Sequence, residues 1–305
     1  MRFGGHETFA IREGWLHKGL KLLIEQPELL VDEYSADWLG VGRNMAKSIR
    51  HWLLATGLAD KAQAEATKKS AHLIESELGQ LIYERDPYFS EIGTWWALHV
   101  NLVNTPDHAA SWVWFFNNFN LNRFERSVCV ESLRRHMQLI YKRMPNPKTL
   151  QRDIACLLNS YAKKIPEENL DPEEALDCPF VELGLMTYFR TSGYYRTHQG
   201  PKDIPPQLLG YALSKSMNET IDGKGHIDIT VRQAAQMPGG PGRAFILTGE
   251  SLFEVALSAE SGAKSEEIKI AGLAGERVIR IPRKSPLDWM REYYTTLGSK
   301  ERHAA

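Results

Sequence analysis

The sequence predicts a mainly α-helical protein of the α+β class, built from tandem winged-helix or helix-turn-helix-like units with short β-hairpins. Apolar residues recur every three or four positions through most of the first 165 residues, as they do on one face of a helix. The best strand candidates, rich in β-branched residues, fall after residue 225. A glycine between two helical patterns within residues 35–58 adds the tight turn of a helix-turn-helix.

The helix-turn-helix prediction rests on the segment SADWLGVGRNMAKSIRHWLLATGL, residues 35–58. A first helix would end at Leu39, Gly40 would make the turn, and a second helix would begin at Arg43. The second helix has one apolar and one basic face, and to the basic face we assign the contacts with DNA: Arg43, Asn44, Lys47 and Arg50. The alternative is a solvated basic face in an ordinary helical hairpin.

The first unit is expected to cover residues 1–104. An amphipathic helix is predicted from about residue 12 to residue 25. The charged linker at 59–71 could form the wing after the helix-turn-helix. Further helices are predicted over 72–85 and 94–102, the first of them ending at an Asp-Pro turn.

A helical middle unit is expected over residues 105–185. It begins with an aromatic cluster too apolar to be left in water, which predicts core at Trp112, Trp114, Phe115 and Phe116. Two basic amphipathic helices at 128–144 and 148–164, separated by prolines, fit either a second helix-turn-helix or a plain hairpin. An acidic linker, 166–177, then precedes an apolar candidate strand, 178–186.

The third unit is expected over residues 186–305 and combines helices with hairpins. One amphipathic helix is predicted at 205–218. Candidate strands lie at 227–231 and 244–248, on either side of a PGGPG turn. The segment IKIAGLAGERVIRIPR, 268–283, has the pattern of a hairpin.

Composition limits the function classes. The chain has 305 residues, enough for two or three domains, with 37 Lys plus Arg against 38 Asp plus Glu. Because the net charge is -1, any nucleic-acid surface must be a local basic patch. Three widely spaced cysteines predict reduced thiols in a cytoplasmic protein rather than a zinc or iron-sulfur site. No apolar run is long enough to predict a membrane span.

The N-terminal segment MRFGGHETFAIREGW holds the densest set of polar side chains that could do chemistry, namely His6, Glu7 and Arg12. Ala10 stands where the second histidine of an H-E-x-x-H zinc site would be, which excludes that metalloprotease motif. A glutamate beside a histidine could hold Mg²⁺ or move a proton. The residues alone favour the alternative, a structural ion pair between Glu7 and Arg12 across the start of the first helix.

Four stretches carry a resemblance to a known family: FGGHETFAIREGWLHKGL at 3–20, LGVGRNMAKSIRHWLLATGL at 39–58, LGQLIYERDPYFSEIGTWWALHVNL at 78–102 and SWVWFFNNF at 111–119. The chain resembles the bacterial family labelled domain of unknown function 4007, and the likeness continues through CPFVELGLM and PGGPGRAF. The opening pattern of that family is close to F-x-x-H-E-T-F-x-x-R-x-x-W-L-x-K. It is met here by Phe3, His6, Glu7, Thr8, Phe9, Arg12, Trp15, Leu16 and Lys18.

The resemblance implies a place in DNA phosphorothioation and related phage-defence gene clusters. The implied partners are double-stranded DNA, sulfur-transfer proteins that resemble phosphosulfate reductases, and ATPase proteins of the same system. A characterised relative nicks DNA with Mg²⁺ so that sulfur can be incorporated. The resemblance therefore implies an Mg²⁺-dependent nickase, and the competing readings are a non-catalytic DNA-binding adaptor or regulator and a helical scaffold for a sulfur-transfer enzyme.

The family pattern shifts the interpretation of the N-terminal residues toward a site. It implies that His6, Glu7 and Arg12 belong to the active or substrate-binding site, with Glu7 as a ligand of Mg²⁺. His6 would act as base or orient the metal ligand, and Arg12 would hold phosphate. Further carboxylates would be needed to complete a metal site, and the nearest in sequence are Asp32, Glu33 and Asp37.

Overall fold

The computed structural model describes residues 2–62, 73–140, 144–165, 178–217, 225–261, 267–273 and 275–304, with side chains described as far as residue 298. Contacts group the chain into two compact units, Met1–Arg196 and Thr197–Ala305. Helices dominate both units and the strands are short, which confirms the mainly helical α+β prediction. The division into three units, with boundaries near 105 and 186, stays a prediction about which segments fold independently.

The first unit is built on helices α1 to α9: Trp15–Glu25, Pro27–Val31, Ser35–Leu39, Arg43–Ala55, Glu77–Arg85, Ile92–Asn104, Ala110–Asn118, Arg126–Ile140 and Pro147–Tyr161. Strands β1 to β6 accompany them: Ala59–Lys61, Leu73–Glu75, Arg123–Glu125, Ala162–Ile165, Met186–Phe189 and Tyr194–Thr197. β1 and β2 form an antiparallel pair, and the other four strands form a sheet in the order β3-β6-β5-β4. In that sheet β4 is parallel to β5 and β3 is antiparallel to β6.

The glycine turn predicted between α3 and α4 is present. α3 ends at Leu39, Gly40 takes the left-handed backbone conformation with φ of 64°, and α4 begins at Arg43. The Val41 N–H donates to the Ala36 carbonyl at 2.9 Å, which closes the turn. Glycine has no Cβ and therefore adopts the left-handed backbone conformation without a steric clash, which explains why the turn forms at Gly40.

The predicted aromatic core is confirmed in the first unit. Trp112, Trp114, Phe115 and Phe116 are all buried in α7. They lie beside α6, in which every residue from Gly93 to Val103 is buried. The ring of Trp112 also meets Trp52 of α4 at a centroid separation of 5.4 Å. Aromatic packing of this kind ties α4 to the centre of the unit.

The second unit contains helices α10 to α14: Pro206–Met217, Val231–Gln236, Pro241–Ala244, Gly249–Ser261 and Pro286–Ala304. Strands β7 to β9 are His226–Thr230, Lys269–Leu273 and Glu276–Pro282, and they form an antiparallel sheet in the order β7-β9-β8. The β8–β9 hairpin is the one predicted from the sequence. α10 packs on α14, where a Cβ on Gly210 would lie 2.4 Å from the buried ring of Trp289.

Three predicted segments differ from the structure. Residues 73–75 form β2 instead of the first turn of a helix, because Ser76 caps α5 by accepting a hydrogen bond from the Gly79 N–H. Residues 178–186 are mainly a 3₁₀ helix, Pro179–Leu183, rather than a strand. Residues 244–248 are not a strand either, since α12 runs into a turn in which Ile246 has φ of 51°.

Two predicted linkers cannot be compared with the structure. The acidic linker, 166–177, lies outside the described residues, as does most of the charged linker, from residue 63 to residue 71. The predicted pair of basic helices corresponds to α8 and α9, which contact each other.

The structure also places the three cysteines and allows a search for helices that could span a membrane. Cys129, Cys156 and Cys178 are buried and form no disulfide. Burial raises the pKa of the Cys129 thiol well above its ordinary value, so that thiol stays protonated near neutral pH. In the part of the chain that the structure describes, no helix is both long and apolar enough to cross a membrane.

Candidate functional site

A basic cleft of about 390 Å³ lies between the N-terminal segment, α4 and the β1–β2 pair. Four cationic side chains and one carboxylate line it: Arg2, Lys47, Arg50, Lys61 and Glu7. Among the described residues, none of the five forms an ion pair. The basic cleft therefore has a local positive charge although the whole chain is nearly neutral.

The basic face of α4 forms one wall of the basic cleft. Lys47 and Arg50 line the cleft, and Arg43 lies one turn earlier on the same face. Arg43, Asn44 and Lys47 are exposed, whereas Arg50 is half-buried and its Nη1 donates to the Leu30 carbonyl at 3.1 Å. Burial lowers the pKa of Arg50, and an arginine remains protonated over the working pH range. Arg50 therefore combines a structural bond with free guanidinium donors.

His51 lies at the floor of the basic cleft. Its side chain is buried, and its Nδ1 has no hydrogen-bond partner. Burial lowers the pKa of His51 to about 3, with smaller electrostatic contributions from His6, Arg2 and His108, so the ring is neutral at pH 7. A Cβ on Gly5 would lie 2.4 Å from His51 Nδ1, so only glycine allows this approach.

The buried Nδ1 of His51 lacks a hydrogen-bond partner, which is energetically unfavourable. Buried polar atoms in folded proteins are nearly always hydrogen-bonded, and leaving one unpaired costs about 1–3 kcal/mol. The Gly5 backbone packs against His51 Nδ1 and closes it off from solvent, so the fold bears this cost.

His6 belongs to a buried network beneath the basic cleft. Its Nε2 lies 3.0 Å from Asp153 Oδ1, and the same oxygen accepts the Gly4 N–H at 2.8 Å. Asp153 Oδ2 accepts from the Ser111 hydroxyl at 2.8 Å. The Ser48 hydroxyl of α4 donates to the His6 carbonyl at 2.9 Å. This network, which we call the His6–Asp153 clamp, joins the N-terminal segment to α4, α7 and α9.

The clamp uses both ring nitrogens of His6. The Thr8 N–H can only donate, and it lies 3.1 Å from His6 Nδ1, so Nδ1 accepts and Nε2 carries the proton toward Asp153. The side chain is only 2% exposed, and its ring packs against those of Trp52 and Trp112. His6 therefore has no free nitrogen for a general base, and its placement gives it a structural role.

Glu7 points in a different direction from its neighbour. It lines the basic cleft, whereas His6 is turned into the core. Glu7 and Thr8 have φ of 49° and 74°, a left-handed conformation that residues with a Cβ seldom adopt. Such strain costs about 1–3 kcal/mol per residue and persists where surrounding contacts enforce it. The clamp supplies these contacts, and the result is a carboxylate held among cations.

Arg12 is not brought to the basic cleft. It is exposed, and its guanidinium carbon lies 5.9 Å from the ring centre of Phe9 and 5.6 Å from that of Trp15. Within the described residues it makes no ion pair with Glu7, so the predicted structural pair is not found. Arg12 instead packs on the aromatic side chains at the start of α1.

The basic cleft does not fit a Mg²⁺ ion held by protein ligands alone. Mg²⁺ prefers six oxygen ligands, usually including one or two carboxylates. Among the described residues, Glu7 is the only carboxylate in the lining, which it shares with four cations. No group of three or more His, Cys, Asp or Glu side chains comes together for a metal in the described part of the chain. Asp32 instead accepts the Tyr34 N–H at 2.8 Å.

Comparison with models of known protein families shows the family to which this chain belongs. The model of a family described as protein of unknown function (DUF4007) matches residues 3–294. The chain belongs to the DUF4007 family. This match includes the N-terminal segment from Phe3, α4 and the clamp residues Ser111 and Asp153, so every lining residue of the basic cleft except Arg2 lies within the matched region.

Two solved structures are similar to this DUF4007 chain over nearly its full length. One is described as a magnesium ion-bound SspB crystal structure, with a TM-score of 0.81, 26% identity, and coverage of 96% of this chain and 88% of that chain. The other is described as an SspB crystal structure, with a TM-score of 0.79, 27% identity and the same coverage. The chain is therefore SspB-like in fold. No curated protein matches the chain.

Part of the basic cleft can be predicted from the sequence, and the rest depends on the fold. The three-to-four residue spacing located Lys47 and Arg50 on one face of α4, and the family pattern drew attention to Glu7. The sequence did not predict that Arg2, Lys61 and His51 line the same cleft, because the fold alone brings these residues together. It also missed Asp153, which lies 147 positions from its partner His6. No local pattern connects residues that far apart.

Proposed function

We propose that this DUF4007 protein binds DNA as a component of a phosphorothioation-type phage-defence system. The observation that carries the proposal is the basic cleft, with four cations that form no ion pairs among the described residues and continue onto the exposed face of α4. Phosphates bind where lysine and arginine side chains converge. The likeness to SspB structures and the family resemblance support the assignment to such a system, alongside sulfur-transfer and ATPase proteins.

The first unit would meet DNA as a winged helix. α3, the Gly40 turn and α4 are followed directly by the β1–β2 pair, the order of a helix-turn-helix with a wing. A second helix of such a motif docks in the major groove with its N-terminal residues toward the bases. Arg43 and Asn44 occupy the first turn of α4 and are exposed, so we assign them to base or phosphate contacts there.

The second unit has a similar order of elements but different charge. α11 and α13 pack together, and the β8–β9 hairpin follows α13, so we propose a second winged-helix unit. We place α13 in the groove-reading position, where it exposes Glu254 and a Glu250 that already pairs with Arg277 of β9 at 3.0 Å. Carboxylates there would be repelled by phosphate. We therefore place the contacts with DNA on the first unit.

Binding to duplex DNA with a steep salt dependence is the expected result for the wild-type protein. If the cleft cations and Arg43 neutralise five phosphates, the slope of log K against log salt should be about −4 to −5. Fluorescence anisotropy with a labelled 20-base-pair duplex at several salt concentrations measures it. A slope near zero, or no binding in low salt, would refute DNA binding as the function.

A second candidate function is nicking of one DNA strand. The observation that favours it is Glu7, a strained carboxylate held in an otherwise cationic cleft. Hydrolysis of a phosphodiester needs a base near the attacking water and cations near the charge that develops on the phosphoryl group. Glu7 can accept the proton of the water, and Lys47 and Arg50 can stabilise the charge.

Glu7→Gln should separate binding from cleavage. Removing a negative charge from the cleft should tighten duplex binding, by about threefold if the carboxylate repels phosphate with roughly 0.6 kcal/mol. If Glu7 is the base, conversion of supercoiled plasmid to open circles should fall by about 10²–10⁴-fold. The assay is run in Mg²⁺ and in EDTA, which also tests the metal dependence implied by the resemblance.

The outcomes of the plasmid assay differ for the two candidates. Tighter binding with loss of nicking would assign Glu7 to catalysis. Tighter binding without nicking by either protein would leave a DNA-binding adaptor as the function. Nicking that is unchanged in Glu7→Gln would remove Glu7 from the reaction.

A further inference from the structure

A second cleft, of about 820 Å³, lies elsewhere in the first unit. It is formed by the junction of β3 with α8, by one face of α9, and by β5 and β6. The side chains that give it chemical character are two arginines, two glutamates and two tyrosines: Arg126, Arg152, Glu125, Glu131, Tyr188 and Tyr195. None of these residues lines the basic cleft. We call it the tyrosine cleft.

The two arginines of the tyrosine cleft have no ion-pair partner among the described residues. Arg126 begins α8 and Arg152 lies in α9, and both are exposed. Of the two glutamates in the tyrosine cleft, Glu131 pairs with Arg134 and Arg135, and neither glutamate forms an ion pair with Arg126 or Arg152. Guanidinium groups bind phosphate through two parallel hydrogen bonds, so two of them in one cleft are suited to a phosphate group.

The negative charge of Glu131 is compensated. Arg134 and Arg135 hydrogen-bond to its carboxylate at 2.8 Å and 3.0 Å, and these bonds hold the pKa of Glu131 near about 2. The charge of Glu131 is therefore already paired outside the cleft. Among the described residues that line the tyrosine cleft, Glu125 is the one carboxylate without an ion pair, and it accepts a 3.4 Å contact from the Ser127 hydroxyl.

The tyrosines make an aromatic wall. The rings of Tyr188 and Tyr195 lie 4.5 Å apart between centroids, with a tilt of 31°. Tyr195 is buried and also stacks on Phe124, whereas Tyr188 is partly exposed at the cleft. Tyr188 is thus a rigidly supported aromatic side chain that a planar ligand can reach. Aromatic side chains of this kind stack on nucleobases whatever their sequence.

We propose that the tyrosine cleft binds one nucleoside phosphate unit. Arg126 and Arg152 hold the phosphate, Tyr188 packs against the base, and Glu125 accepts hydrogen bonds from sugar hydroxyl or base amino groups. An inorganic anion would be repelled by the Glu125 carboxylate and would give it no hydrogen-bond donor. An apolar ligand would leave both arginine side chains without a partner. A nucleotide uses all four side chains, and a cleft of this volume is in the size range of small-molecule sites.

The same chemistry is presented by a free nucleotide and by an unpaired nucleotide within a DNA strand. The proposal does not depend on duplex binding at the basic cleft, since the two clefts share no lining residue. Isothermal titration calorimetry with AMP, inorganic phosphate and a single-stranded octadeoxynucleotide distinguishes the sources. AMP that the octamer displaces indicates a strand nucleotide, and AMP that the octamer does not displace indicates a free nucleotide.

Two variants test the assignment of the side chains. Arg126→Gln with Arg152→Gln should weaken AMP binding at least tenfold, and Tyr188→Leu should weaken AMP binding at least threefold while inorganic phosphate is unaffected. Lys18→Gln with Arg85→Gln removes the same charge from exposed positions outside the cleft and should change nothing. Circular dichroism checks that each variant is folded.

Two results would overturn the proposal. The first is the absence of saturable binding of both AMP and the octamer to the folded wild-type protein. The second is AMP binding that is equally strong in the folded double arginine variant. If variants of the basic cleft lose duplex binding but still bind AMP, the nucleotide site is supported independently of the proposed binding of duplex DNA.

Discussion

Replacing Asp153 by alanine is expected to destabilise the first unit by about 3–5 kcal/mol, because three hydrogen-bond donors lose their acceptor at about 1–3 kcal/mol each. Asp153 is 2% exposed and accepts from the Gly4 N–H, the His6 ring and the Ser111 hydroxyl. The donors of His6 and Ser111 would be left buried without an acceptor, and the Gly4 N–H would be left half-buried without one. Because the stability of a domain is about 5–15 kcal/mol, the thermal midpoint should fall sharply.

The matched control is Asp37→Ala, which removes an exposed carboxylate and should change stability by less than about 0.5 kcal/mol. Ser111→Ala removes a single hydroxyl from the same clamp and should cost only about 1 kcal/mol. Limited trypsin digestion adds a local readout, because release of the N-terminal segment should speed cleavage at exposed Arg12. A thermal midpoint for Asp153→Ala equal to that of Asp37→Ala would contradict the clamp.

The clamp also explains why the N-terminal pattern could be noticed in the sequence but not understood from it. His6 and Glu7 are neighbours in the chain, and together with Arg12 they predict one shared site. In the fold these adjacent side chains point in different directions. His6 is buried in the core, Glu7 lines the basic cleft, and Thr8 donates its N–H to the His6 ring. The partner that separates these roles, Asp153, is in α9 and carries no local signal.

The helices were more accessible to sequence reasoning than the strands. Apolar periodicity located α1, α4 and α9, since burial of one helix face repeats within a few residues. β2 was missed because three residues are too few to show alternation, and residues 244–248 looked like a strand although they only fill a buried turn. Short strands depend on distant pairing, so their sequence signal is weak.

Removing the basic face of α4 should have the largest effect on DNA binding. The variant with Arg43, Lys47 and Arg50 all changed to alanine should lose about 0.9 from the salt slope per phosphate contact, or about 2.7 for three. If each contact contributes about 1.4 kcal/mol, affinity at low salt should fall on the order of 1,000-fold. Anisotropy titrations of the labelled duplex at several salt concentrations measure both quantities.

A charge-matched control separates groove contact from net charge. Lys18, Lys21 and Arg85 are exposed on α1 and α5, outside the basic cleft, and changing all three to alanine alters net charge equally. That control should keep the wild-type slope. Arg50 also donates to the Leu30 carbonyl, so the double variant Arg43→Ala with Lys47→Ala, which spares that bond, should still lose about 1.8 from the slope. Equal slopes for the double variant and the control would mean that α4 does not face the phosphates, and the proposed DNA surface would have to be abandoned.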